Sequence, residues 1–153
     1  MTRVKVAAQK QRRGAEVVET ALVLNVVLLG LLSIFEYGRL VMVRQLLNNA
    51  AREGSRYAVV GSAETPHVTT EQIRETVRSY LAGQSIDITD IKVYQANPST
   101  GDWVSDAWAQ TPYGGAIAVQ VEAMYRPILP TTLGIIPNPF PVTGISMMLS
   151  EAN

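Results

Sequence analysis

The chain has no cysteine. That rules out a disulfide scaffold and any thiolate metal site, so the folded part must hold itself together by packing. It has no proline before Pro66, so nothing in the first 65 residues forces a helix to break. It has a single histidine, His67, in a polar stretch that reads as solvated loop rather than ligand or base. No acidic residue precedes Gly14, while Arg3, Lys5, Lys10, Arg12 and Arg13 all do. The whole chain balances 13 basic against 13 acidic residues, but residues 15–153 carry 8 against 13, a net charge of −5. Such a body lacks the basic footprint that nucleic-acid binding requires.

Catalytic and cofactor patterns are missing too. No His/Cys/acid group has metal-ligand spacing, and no glycine-rich loop leads into a helix as a phosphate cradle does. No serine sits in a nucleophile elbow. The pairs Asp87/Asp90 and Asp102/Asp106 offer oxygens for a calcium ion, but solvated loop or strand edge explains them more simply. The reading is of a non-enzyme with no cofactor and no metal.

What the chain does have is an apolar run. Thr20 to Phe35 are 16 consecutive uncharged residues, bounded by Glu19 and Glu36. As a helix they span roughly 24 Å, and Val17, Val18 and Tyr37 at the interfaces bring residues 15–37 to membrane-crossing length. The five leading charges hold the N-terminus cytoplasmic and place the rest outside the cytoplasmic (inner) membrane, periplasmic or at the cell surface. A single-pass arrangement follows. Three readings explain the segment. A cleaved secretory signal needs small residues after the run, and Ser33-Ile34-Phe35 fits that poorly. A plain signal anchor explains the run but not the pattern before it. A prepilin-type leader explains both: a basic head ends at Gly14, a cut falls between Gly14 and Ala15, and Glu19 stands five residues beyond. A carboxylate at the lip of a membrane segment is costly without a partner.

Helical spacing continues past the run. Leu40, Val43, Leu47, Ala50, Ala51, Gly54, Tyr57 and Ala58 recur at steps of three and four. One helix is therefore expected from about Ala15 to Val60, with residues 38–60 outside the membrane. Glu36 and Arg39 have pairing distance on it. Ala50, Gly54 and Ala58 form a small-residue ridge, suited to close packing within the subunit or against a neighbour.

Glu36-Tyr37-Gly38-Arg39 and Asn49-Ala50-Ala51-Arg52-Glu53-Gly54-Ser55-Arg56-Tyr57-Ala58 resemble the signature of TadE-like pseudopilins, part of the Tad machinery that assembles Flp pili. Arg13-Gly14, Glu19 and Ala21-Leu22-Val23-Leu24 match that family as well. The resemblance is strong over about residues 11–60. It implies a minor pilin or pseudopilin of type IV pilin-like plan, processed by a prepilin peptidase, in contact with membrane lipid and with other Tad/Flp pilins and assembly components. It also implies that the Glu19 carboxylate pairs with the α-amine of a neighbouring subunit. Two positions depart from the pattern. Thr20 stands where an aromatic residue is common, and Asn25 where proline is common, so no kink is expected. Glu16 is an extra acid that competes with Glu19 for an amine.

Residues 61–153 read as a small α+β body. Thr69 and Gln72 have capping-box spacing before a helix over 70–82, with Ile73, Val77, Tyr80 and Leu81 inward and Gly83 ending it. Strands are expected near 86–94, 116–126 and 142–150, the last two antiparallel, with turns at 97–101 and 111–115. In the second strand Ile117, Val119, Val121, Ala123 and Tyr125 share one face. The apolar Pro-rich stretch 127–141 is expected as loop. Trp103 and Trp108 lie in the 95–115 loop, as core, interface or membrane-facing anchors. The expected fold is a long N-terminal helix packed on a small antiparallel sheet.

Overall fold

The computed structural model describes residues 3–62, 68–128 and 138–150, with side chains from residue 14 onward. Helix α1 spans Arg3–Ser62, longer at both ends than expected, because residues 3–13 contain no breaker. The described residues fall into two compact units, one ending at Gly38 and one beginning at Arg39.

The first unit is helix alone. Its large apolar side chains are uncovered, from 40% exposure at Leu32 to 71% at Ile34.

The second unit is α+β. Helix α2 is Thr70–Leu81, and the strands are β1 (Asp87–Ala96), β2 (Trp103–Ser105), β3 (Ala116–Tyr125) and β4 (Phe140–Leu149). The sheet order is β2-β1-β3-β4, every pair antiparallel. One face of the sheet is covered by α2 and by the second half of α1. Leu47, Ala50, Ala51 and Ala58 from α1 and Ile73, Val77 and Leu81 from α2 share one core with Ile117, Val119, Val121, Ala123 and Tyr125.

Local signals explain the element ends. The Thr69 side chain accepts from the Gln72 N–H while the Gln72 side chain accepts from the Thr69 N–H, a complete capping box. Beyond Leu81, Gly83 takes φ +85, which only glycine adopts without strain. The turn at 97–101 closes with the Gly101 N–H on the Asn97 carbonyl at 2.8 Å.

Several expectations need correction. Tyr80 is 47% exposed rather than inward, because Ile73, Val77 and Leu81 already fill the buried stripe and Tyr80 flanks it. The 95–115 region is not all loop: it holds β2 and a short 3₁₀ turn, Trp108–Gln110. Trp108 is core, with its indole N–H donating to Thr70 Oγ1 at 2.9 Å. Trp103 is exposed and donates to Asp106 at 2.9 Å. Strand β4 begins at Phe140 and includes Pro141, two residues earlier than expected. It is an edge strand, and Pro141 shares parity with Ile145, whose N–H points away from β3 to the Asn48 side chain. A proline at such a position removes no ladder bond. His67 and most of the Pro-rich stretch, 129–137, lie outside the described residues.

Candidate functional site

The residues singled out by sequence fall in three places along α1. Gly14, Ala15 and Glu19 lie in the exposed first unit, on continuous helix. A Cβ placed on Gly14 would meet nothing within 4 Å. Among the described residues, none is hydrogen-bonded or ion-paired to Glu19. The other polar side chains of the run are satisfied locally. Thr20 Oγ1 donates to the Glu16 carbonyl at 2.8 Å, Asn25 Nδ2 to Ala21 at 3.0 Å, and Ser33 Oγ to Leu29 at 2.8 Å. Each uses the carbonyl one turn back, which is how a helix carries polar groups through a medium with no water. Among the described residues this is the one helix long and apolar enough to cross a membrane.

Glu36 and Arg39 come next. Glu36 is half-buried. Arg39 opens the second unit, and its side chain is held by the end of β3. Nε donates to the Tyr125 hydroxyl at 3.0 Å, and a terminal nitrogen donates to the Arg126 carbonyl. The guanidinium carbon lies 4.7 Å from the Tyr125 ring centroid, a cation–π contact. The ring in turn tilts against Phe140 at 5.3 Å. Beside this cluster a cavity of about 380 Å³ opens between α1, the 84–86 loop and the start of β1. At its rim Arg126 pairs with Asp87 at 3.1 Å.

The ridge is third. Ala50, Gly54 and Ala58 are all buried by this subunit's own elements. A Cβ on Gly54 would stand 2.6 Å from Val77 Cγ2 and 3.3 Å from Val119 Cγ1, so α2 and β3 pack directly onto the helix backbone.

Sequence reasoning missed what faces the helix from β4. A Cβ on Gly144 would lie 2.5 Å from the Leu47 carbonyl carbon and 2.7 Å from the Asn48 nitrogen. Nearby, the Ser55 and Ser146 hydroxyls meet at 3.1 Å, and Asn48 Oδ1 accepts from the Ile145 N–H at 3.3 Å. The signal was present: the core face of β4 reads Val142, Gly144, Ser146, small residues where a strand usually carries bulk.

Chemistry elsewhere is quiet. The carboxylates of interest are engaged structurally: Asp90 accepts from the Ile91 N–H, and Asp106 from Trp103. Among the described residues no group of acids and histidines could hold a metal ion. On the outer sheet face Lys92 pairs with Glu122 at 2.6 Å, which holds the lysine above its ordinary pKa. Burial pushes the neighbouring Tyr94 phenol upward.

Compared with known families, residues 14–56 match the family described as TadE-like protein. No curated protein and no solved structure matches the chain.

Proposed function

We propose that this chain is a TadE-like pseudopilin, or minor pilin, acting in the assembly of Tad (Flp) pili. Residues 1–14 are the cytoplasmic leader, 15–37 cross the inner membrane, 38–60 continue the helix outside, and 61–153 complete an extracytoplasmic body. A prepilin peptidase cuts after Gly14. The observation that carries this reading is the family match, which begins at Gly14 and runs through the exposed apolar helix into the packed one.

The physics of Glu19 supports the assembly role. Its neighbours in the run satisfy their own polar groups, and Glu19 does not. After cleavage Ala15 supplies a new α-ammonium group. Pairing that charge on one subunit with Glu19 on the next relieves the cost of a carboxylate at the edge of lipid, and so favours the assembled state. Other Tad pilins and assembly components, the peptidase and membrane lipid are the partners; nucleic acid is not, given the net charge of −5 on residues 15–153.

The competing reading is an uncleaved single-pass protein whose outer domain binds a partner or ligand. The cavity beside Arg39 favours it.

N-terminal sequencing with intact mass, on protein from the native membranes, separates the two. A chain starting at Ala15 supports processing; a chain retaining residues 1–14, in cells that process another pilin, supports the anchored receptor. Gly14→Val sharpens the test, because a Cβ at that position meets nothing within 4 Å. Retention of the leader is expected. Glu19→Ala is expected to leave cleavage intact and to reduce co-purification with partner pilins; unchanged co-purification and piliation remove the salt-bridge idea.

A further inference from the structure

The sheet of the second unit has two faces, and the helices cover one of them. Helices α1 and α2 pack on the face of Ile117, Val119 and Val121. The register puts Tyr94, Ala96, Ala116 and Ala118 on the other face, where they form a small buried cluster of their own. Around them, on the same face by their pairing, stand Trp103, Ile145, Met147 and Leu149, between 38% and 61% exposed. A solvated sheet face ordinarily carries polar residues, and an apolar patch left bare on it marks a docking surface. We propose that a second copy of this chain docks there through the outward stripe of its own α1, within residues 42–60.

Charge selects that occupant. Around the apolar patch Asp87, Asp90, Asp102, Asp106 and Glu122 stand against Lys92 and Arg126, an excess of three negative charges. Both cations are already engaged, Lys92 with Glu122 and Arg126 with Asp87. Asp106 accepts from the Trp103 indole, and Asp102 is close enough to Tyr94 for its charge to add to the effect of burial on the phenol. The outward stripe of α1 has the opposite sign. Arg44, Arg52 and Arg56 are exposed there, and Glu53 is the one acid between Arg39 and Ser62. Arg39 is engaged by Tyr125 and Arg126, and Arg56 pairs with Glu53 at 2.7 Å. Among the described residues none is hydrogen-bonded or ion-paired to Arg44 or Arg52. The charges of α2 cancel, Glu71 and Glu75 against Arg74 and Arg78. Met42, Tyr57 and Val60, exposed on the same stretch of α1, bring apolar surface to meet the patch.

Geometry decides the kind of contact. Helix α1 packs on the core face of the sheet and turns Arg52 and Arg56 away from it, so the stripe and the bare face lie on opposite sides of the unit. A contact between unlike faces does not close as a two-fold dimer, because each copy keeps one face of each kind to offer the next. The contact uses neither Gly14 nor Glu19, so it stands or falls apart from the proposed processing.

The test uses the full chain in detergent micelles, with association followed by sedimentation velocity over a concentration series. Association that weakens with added salt is expected. Arg52→Glu and Asp102→Arg change exposed side chains, and each is expected to weaken association about tenfold or more by setting like charges face to face. The decisive measurement is their mixture. Arg52→Glu keeps the original sheet face and Asp102→Arg keeps the original helix stripe, so the two variants, each weak alone, are expected to bind one another as tightly as the parent binds itself. A chain that stays monomeric overturns the second copy as occupant. Association indifferent to both substitutions assigns it to other surfaces and overturns the proposal, as does a mixture that binds no better than either variant alone.

Discussion

Two stretches of helix α1 use apolar residues in opposite ways. Residues 14–35 carry a run of valine, leucine, isoleucine and phenylalanine side chains, and all of them are exposed. Residues 47–61 carry Ala50, Ala51, Gly54, Ser55, Ala58 and Gly61, and all of them are buried. An unbroken run of bulk lies where the protein covers nothing, and Leu47 apart, small residues line the helix where it packs most closely. The contrast separates two reasons for an apolar residue. In the first half, bulk meets solvent, and that solvent must be lipid for the arrangement to be stable. In the second half, small size lets α2, β3 and β4 reach the helix backbone, and the neighbours supply the apolar surface.

A glycine-to-alanine series breaks the comparison in graded steps. Gly144→Ala has the largest expected effect. Its new methyl would strike the backbone of Leu47 and Asn48, which cannot step aside, so a loss of about 3 kcal/mol is expected. Gly54→Ala meets a side-chain methyl of Val77 rather than backbone. Its overpacking cost of about 1–2 kcal/mol is partly offset by about 1 kcal/mol of helix propensity. Gly30→Ala meets nothing within 4 Å and should leave unfolding of the second unit unchanged. Urea denaturation of the full chain in micelles, followed by the fluorescence of buried Trp108, ranks the three. If Gly144→Ala unfolds at the wild-type midpoint, the close approach of β4 to the helix is wrong.

Smaller effects sharpen the picture of the second unit. Thr69→Ala removes the capping box of α2 and is expected to cost about 1 kcal/mol, seen as a lower midpoint in the same titration. The least effect is alkaline. Burial raises the Tyr94 phenol above its unfolded-state value. Its contribution is therefore complete below about pH 10 and is lost as pH climbs through the folded-state value. Tyr94→Phe should flatten that loss; a variant that destabilises with pH as steeply as the parent assigns the loss to other groups, Lys92 among them.

Much of this was legible in the sequence because it is local. The alternation of β3 put Ile117 to Tyr125 on one face, and all five are buried there. Thr69 and Gln72 announced their cap three positions apart in the chain. The unread parts are distant or short. Arg39 finds Tyr125 86 residues away, and Ser55 finds Ser146 91 residues away, distances along the chain at which periodicity carries no information. Strand β2 has three residues, too few to alternate. Pro141 argued against a strand only until its place on a free edge was known. The ridge at Ala50, Gly54 and Ala58 advertised close packing correctly but not the partner, which is this subunit's own body.

The free edge of β4 has one more consequence. Pro141 has no N–H to offer, and the Ile145 N–H is already taken by Asn48. An incoming strand thus finds two of its anchoring points missing, and the edge is a poor template for sheet-to-sheet fusion.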